Sequence, residues 1–343
     1  MDTITQITLG AAVGEATLGK KVGNKAVLWG AIGGTIPDLD VLAGPFMDAV
    51  SGIAFHRGFT HSISFALMFA PLFGYLLFKL YRGHEASWWD WTKILFLAVV
   101  THPILDNFTS YGTQFFWPFS DYRVAFSTIF VIDPFYTVPF LLTVIALMFY
   151  HRSSQKRVVL NYLGIFVSTL YLMFTVVNKL YVQDRFETAL QDQNLTFSRI
   201  LSSPTPFNNF LWRGVAKGPD GYWEGYLSLF DEQHNIDFVY TSANLNLLKS
   251  LQNHPQIQKL EWITSDFYSI SQKNESLFLN DMRFGRLNGW GKVEGEFVFS
   301  FKLVESHSQH SDNLLVYRER PSFKIDQKML LLFADRLLGK SVF

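Results

Sequence analysis

Apolar positions fall into two regimes along the chain. Up to residue 182 they form long runs separated by short polar or basic linkers, and beyond it they come in short alternating stretches. Thr3 to Gly19 is small and apolar, and Ala26 to Ile36 is rich in alanine and glycine. Gly10 and Gly14 stand four apart, a spacing that lets helices approach closely in a membrane. Ser64 to Tyr81 carries no charge before Lys79, which makes a span of about 18 residues. Trp88, Trp89 and Trp91 form an aromatic belt ahead of a second span, Trp91 to Phe108. Asp133-Pro134 opens a third, running to Tyr150, and Val158 to Val182 is the fourth and longest. The pattern predicts a multi-pass α-helical membrane bundle over residues 1–182, with about four spans and an apolar N-terminal helical region.

Residues 183–343 read as a separate soluble α+β domain. Phe207 to Ala216 and Tyr222 to Phe230 alternate like strands around Lys217-Gly218-Pro219-Asp220-Gly221, a strong turn signal. Ala243 to Asn253 suggests a short helix, Trp262 to Ile270 a helix or strand, and Gly295 to Leu303 a strand. His307 and His310 lie in a Ser/Gln/Asp-rich stretch that reads as solvated loop rather than a metal pair.

Composition narrows the function. Lys+Arg and Asp+Glu are both 29, so net charge gives no argument for a nucleic-acid partner. There is no cysteine, which removes disulfides and thiolate metal sites. There is no internal repeat and no nucleotide-binding glycine loop. Asp2 is the first charge and Lys20 the first cation, so the N-terminus lacks the basic start of a cleavable signal. The linkers at 20–25, 79–93 and 151–157 hold nine Lys/Arg, whereas those at 37–63 and 109–131 hold two, Arg57 and Arg123. Positive linkers stay in the cytoplasm. The alternate linkers, and the domain after residue 183, are therefore expected outside.

Those outer linkers carry the candidate chemistry. Pro37-Asp38-Leu39-Asp40 offers two carboxylates, which in an extended segment would point to one side. The plain alternative is a polar turn with Asp38 as a helix cap. His56-Arg57-Gly58-Phe59-Thr60-His61-Ser62 leads into the Ser64 span. His56 is expected on the loop and His61 in the first helical turn, with Gly58 permitting the loop and Thr60 capping the helix. His102 and Asp106 stand i and i+4, on one helical face, although Pro103 between them should kink that helix. Singly, each histidine reads as an interfacial polar residue. Together, Asp38, Asp40, His56, His61, His102 and Asp106 make a set of hard and borderline donors suited to zinc, with manganese or iron as alternatives. Six donors exceed the shell of a single zinc, so two ions, or one ion with two supporting residues, both fit. Arg57 is a candidate for holding an anionic substrate group. Glu15, in the first apolar run, is either a general base or a residue facing solvent at a helix end.

These motifs, with the continuation Thr109-Ser110-Tyr111-Gly112-Thr113 and Asp133-Pro134, resemble the YdjM family of bacterial and archaeal inner-membrane proteins, described as metal-dependent hydrolases. The resemblance covers roughly residues 1–182, and its most specific element is the His-Arg-Gly-x-Thr-His-Ser run. The family often carries a histidine after a threonine near its start, where this chain has Thr5-Gln6; Gln6 is therefore left out of the ligand set. The resemblance implies a bacterial inner-membrane, metal-dependent hydrolase acting on an ester or phosphoester, whether small or lipid-linked, at the outer interface. The competing reading is a non-catalytic scaffold or regulator with a structural metal. A transporter would call for ionisable groups near the midplane and for repeats, and the chain shows neither.

Overall fold

A computed structural model describes residues 1–83, 85–232, 236–287, 289, 295–308, 311–321 and 327–340. The chain folds as two compact units. The first comprises residues 1–43, 55–178 and 206–209, and the second residues 44–54, 179–205 and 210–343.

In the first unit, α1 (Thr3–Val22) and α2 (Asn24–Thr35) form a tight antiparallel pair. Asp2 caps α1, its side chain accepting from Thr5 N at 3.1 Å. Gly10 and Gly14 make the pair possible: a Cβ on Gly10 would stand 2.3 Å from Gly30 O, and one on Gly14 2.2 Å from Ala26 O. The chain then tightens into a 3-10 segment, Ile36–Phe46, rather than the extended segment in which Asp38 and Asp40 would point to one side. A helix tail can continue in this tighter form because i to i+3 bonds satisfy carbonyls that the α-helix leaves free. Two short pieces follow, α3 (Ala49–Phe55), nearly all of which belongs to the second unit, and, back in the first, a 3-10 turn at Phe59–His61. Next comes α4 (Ile63–Leu80), capped by Ser62 rather than by Thr60: the Ser62 hydroxyl accepts from Phe65 N at 3.1 Å. Helix α5 (Trp88–Asp106) starts in a capping box between Ser87 and Asp90 and runs through Pro103 to its end. Asp133 caps α6 (Pro134–Leu147), and α7 (Gln155–Asp192) is a single helix of 38 residues that crosses from the first unit into the second.

Among the described residues, three stretches are long and apolar enough to cross a membrane: Asn24–Phe46, Ile63–Leu80 and Gln155–Asp192. The first belongs to the region expected as merely N-terminal. The other two expected spans differ in character. At 14 residues, α6 is about 21 Å long, against about 30 Å of hydrocarbon. Most of α5 is buried inside the bundle, with Trp91, Ile94, Ala98 and Val99 fully enclosed, so it serves as the unit's central post.

The second unit contains two four-stranded antiparallel sheets, in the orders β1-β2-β3-β4 and β5-β6-β7-β8. The first sheet is β1 (Arg199–Pro204), β2 (Leu211–Lys217), β3 (Gly221–Ser228) and β4 (Val239–Ser242). Its β2–β3 hairpin closes where the Lys217 to Gly221 turn was expected, with Gly218 N donating to Gly221 O at 2.8 Å. The second sheet is β5 (Tyr268–Lys273), β6 (Ser276–Asp281), β7 (Ser300–Ser308) and β8 (Ser311–Glu319), with α8 (Pro255–Thr264) before it and α9 (Gln327–Leu337) after it. The ambiguous stretch from Trp262 to Ile270 is both things in turn. Helix α8 ends at Thr264, Ser265 and Asp266 take positive φ, and β5 begins. The helix expected over 243–253 shrinks to a 3-10 turn at Leu245–Leu248. The backbone at 307 belongs to β7 rather than to a loop, while the His307 side chain and His310 lie outside the described residues.

Candidate metal centre

Four elements of the first unit deliver polar side chains to one end of its bundle: the start of α1, the 3-10 segment after α2, the turn at 59–61 and the last turn of α5. Asp38, His61 and His102 come closest, each offering a ligand atom within 4.8 Å of the others, a group able to hold a metal ion. His61 Nε2 lies 3.2 Å from His102 Nε2 and 3.3 Å from Asp38 Oδ1, and His102 Nε2 lies 3.5 Å from the same oxygen. Asp106 Oδ2 joins them, 3.6 Å from His61 Nε2 and 3.7 Å from His102 Nε2. In a tetrahedral zinc site with ligand bonds of about 2.0–2.1 Å, neighbouring donors stand about 3.3 Å apart. Five edges of such a tetrahedron are therefore present to within a few tenths of an ångström.

The surrounding hydrogen bonds aim lone pairs inward. His102 Nδ1 lies 2.6 Å from Gly34 O, an acceptor only, so Nδ1 carries the proton and Nε2 presents a lone pair. His61 Nδ1 lies 3.1 Å from Thr60 Oγ1 and 3.4 Å from Asp40 Oδ2. Because the Thr60 hydroxyl donates to Asp40 Oδ2 at 2.9 Å, His61 Nδ1 is again the proton-bearing nitrogen. Two bare imidazole nitrogens thus face two carboxylate oxygens, and among the described residues Asp106 Oδ2 has no hydrogen bond at all. His61, His102 and Asp106 are fully buried, while the Asp38 side chain is 22% exposed, so the cluster opens on the Asp38 side.

Asp40 and His56, read from sequence as ligands, stand one layer out. His56 Nδ1 pairs with Asp40 Oδ1 at 2.7 Å, and the other Asp40 oxygen turns to Thr60, His61 and Arg57 N. The 3-10 geometry accounts for this. At three residues per turn, Asp38 and Asp40 point about 120° apart instead of to one side. A carboxylate behind a ligating histidine fixes the ring and raises its basicity, which suits Asp40.

Arg57 reaches the centre in an unusual backbone state, with φ of 63°; the turn thus bends at the arginine and not at Gly58, its expected flexible point. Its Nη1 donates to Thr109 Oγ1 at 2.9 Å, Nε lies 3.3 Å from Asp106 Oδ2, and the guanidinium stands 5.0 Å over the Tyr111 ring. Nε is buried and, among the described residues, makes that ion pair without a hydrogen bond. Gln6, left out on sequence grounds, is at the site: buried, it donates through Nε2 to Asp106 Oδ1 at 3.0 Å and to His102 O at 3.2 Å. Among the described residues its buried Oε1 has no hydrogen-bond partner. The Met1 amine also contacts Asp106 Oδ1. The sequence signal for Gln6 was its place in the family's Thr-His position.

Glu15 is not at the centre. It lies nine residues beyond Gln6 on α1, about 13 Å along the helix. There it is held by Arg157, whose Nε and Nη2 donate to Glu15 Oε1 and Oε2 at 2.7 and 2.5 Å. A carboxylate clamped in this way is not available as a general base for the cluster, and that expectation is withdrawn.

The sequence model of the YdjM inner membrane protein family matches residues 1–182. The uncharacterized protein YfhP of Bacillus subtilis (strain 168) is 32% identical over 213 residues, which are 60% of this chain and 62% of that protein. This chain thus covers less than two thirds of YfhP. The inner membrane protein YbcI of Escherichia coli (strain K12) is 31% identical over 122 residues, 35% of this chain and 69% of that one. No solved structure matches the chain.

Proposed function

The chain belongs to the YdjM inner membrane protein family, and we propose that it is a metal-dependent hydrolase of an ester or phosphoester, with its centre at the outer membrane interface. One observation supports this above the rest. Two imidazole lone pairs and two carboxylate oxygens converge at 3.2–3.7 Å with no proton assigned between the nitrogens. Such an arrangement calls for positive charge among its donors, and a divalent ion at its middle supplies it. The donor set suits zinc foremost, with manganese and iron as alternatives.

A divalent ion held by Asp38, His61, His102 and Asp106 would supply Lewis acidity and an activated water. The chain's own groups have distinct tasks. Asp40 and Gly34 O hold the two rings in their ligating tautomers, and Gln6 fixes the Asp106 carboxylate. Asp38, the partly exposed member, lies where substrate would approach. Arg57 stands beside the cluster, and its planar fork suits an anionic group on the substrate, a phosphate or a carboxylate. The outer location rests on the nine-to-two division of cations between alternate linkers; a C-terminal reporter active only in the cytoplasm would overturn it.

A second reading is a scaffold or regulator with a structural ion. It draws on the same geometry, because four protein donors fill a tetrahedral shell and structural zinc sites are closed. The test is turnover. Purified protein loaded with zinc, manganese or iron(II) is screened against phosphoesters and carboxylic esters, with chelated protein as control. Hydrolysis that disappears on chelation is expected, and Arg57→Lys should lower it by about tenfold or more through lost positioning while retaining the ion. A loaded protein that hydrolyses nothing in any lipid or detergent tried leaves the scaffold reading in its place.

A further inference from the structure

The loop between α5 and α6 stands at the same end of the first unit as the donor cluster, because α5 brings His102 and Asp106 in its last turn and α4 begins two residues after His61. It is pinned there by backbone bonds. Gln114 N donates to Arg57 O at 2.9 Å and Ile63 N to Phe115 O at 3.1 Å, while Thr113 and Val124 exchange a pair at 3.0 and 2.9 Å. Trp117 lies edge-on to Phe59, with ring centroids 5.0 Å apart, two residues before His61. Yet this well-anchored loop turns five aromatic rings outward: Phe116, Trp117, Phe119, Tyr122 and Phe126, with Phe119 88% exposed. Five exposed aromatic rings within eleven residues of one pinned loop point to an interaction site.

The bilayer is the occupant that fits. The chain is an inner-membrane family member, the loop joins the ends of apolar helices, and aromatic rings concentrate at that depth in membrane proteins. We propose that the 115–126 loop is set into the bilayer interface and opens the centre laterally to it. The substrate would then be an amphiphile held in the membrane, a glycerophospholipid-type molecule whose anionic phosphate headgroup meets Arg57. The guanidinium is placed for this, since Arg57 O is tied to the loop at Gln114 and Tyr111 lies beneath its charge. The substrate class rests on the hydrolase reading, whereas the embedding of the loop and the capture of lipid do not.

The chain has no cysteine, so Phe119→Cys creates a unique labelling position, and Lys273→Cys, exposed on β5, is the aqueous control. Each is labelled with a polarity-sensitive fluorophore in phosphatidylglycerol nanodiscs. Brominated acyl chains should quench the label at 119 at least fivefold more than the label at 273, and aqueous iodide should do the reverse. In a second arm, phosphatidic acid with a diazirine in its acyl chain is photolysed in the same nanodiscs. Adducts are expected on peptides spanning 59–65 and 115–126, falling at least fivefold in a Phe116→Ser/Phe119→Ser/Tyr122→Ser variant that still binds its ion. A label at 119 quenched by iodide as readily as the control overturns the proposal, and so do adducts unchanged in the triple variant. Neither readout needs turnover, so such a result would leave a hydrolase of soluble esters standing. Lipid capture without hydrolysis would instead sink the hydrolase reading and keep the loop.

Discussion

Two buried polar clusters sit in the first unit, at opposite ends of α1, and they differ in how completely their groups are satisfied. At one end Arg157 uses Nε and Nη2 on Glu15 and Nη1 on Asn24 Oδ1 and Tyr150 O, at 2.7 and 3.1 Å. Both partners are buried, and every donor nitrogen of the guanidinium is engaged. At the other end the count is less complete: Gln6 Oε1 is buried without a hydrogen bond among the described residues, and Arg57 Nε and Asp106 Oδ2 meet only as an ion pair at 3.3 Å, without hydrogen-bond geometry. Burying a polar group without a partner costs free energy, and that cost is tolerated where the partner is a ligand. The Glu15 end holds the helices together; the His61 end gathers a group of side chains able to hold a metal ion. Burial alone does not separate the two, because both are deeply enclosed.

The sharpest way to break this contrast is to delete donors at each end. His61→Ala and His102→Ala should each abolish stoichiometric metal, read by elemental analysis of purified protein, with the chain still inserted in the membrane. Bound zinc in structural sites is worth about 10–16 kcal/mol, so this is the largest effect expected. Full metal content in both variants would end the shared centre. Arg157→Ala should do the opposite. It strands a buried carboxylate, at a cost of about 3–5 kcal/mol, seen as a lower unfolding midpoint in detergent, with metal content unchanged. Loss of the ion in Arg157→Ala would show that the two ends are not independent.

Asp40→Asn probes the intermediate layer. The amide keeps the shape but loses the charge behind His61, and outer-layer changes of this kind weaken metal binding about 10–100-fold. Competition against a chromophoric chelator measures it. An effect as large as that of His61→Ala would make Asp40 a ligand, the other of the two roles that the six-donor set allowed.

The two roles open to Asp40 show which parts of the site could be read from sequence. The i, i+4 pair of His102 and Asp106 was legible because α-helical periodicity fixes a face, and the helix persists through Pro103. Asp38 and Asp40 were legible as chemistry but not as geometry, since Pro37 allows both an extended strand and the 3-10 turn that separates them. Glu15 was conspicuous as an acid in an apolar run, but its partner lies 142 residues away, beyond any local pattern. In the second unit the β2–β3 hairpin was legible from its glycines. The Trp262 to Ile270 stretch was not, because its break lies in two non-glycine residues with positive φ.

The smallest effect belongs to Gln6, where the alternatives are closest. Its Nε2 faces two acceptors, His102 O and Asp106 Oδ1, which fixes the orientation of the amide and leaves Oε1 buried and unpaired. If Gln6 only steadies Asp106, Gln6→Leu removes one hydrogen bond to a charged group, worth about 1.5–3 kcal/mol. Part of that loss is offset because Asp106 Oδ1 keeps its contact with the Met1 amine. Metal affinity should then fall by about tenfold, the equivalent of about 1.4 kcal/mol. If Oε1 instead completes the coordination shell, the loss should approach that of deleting a histidine. Gln6→His separates the two further. An imidazole there restores the family's frequent residue and adds a donor, so affinity at or above that of the natural chain is expected for a position that borders the ion. A loss with histidine as large as with leucine would mean that only the amide's bond to Asp106 matters, and that the unpaired oxygen is incidental.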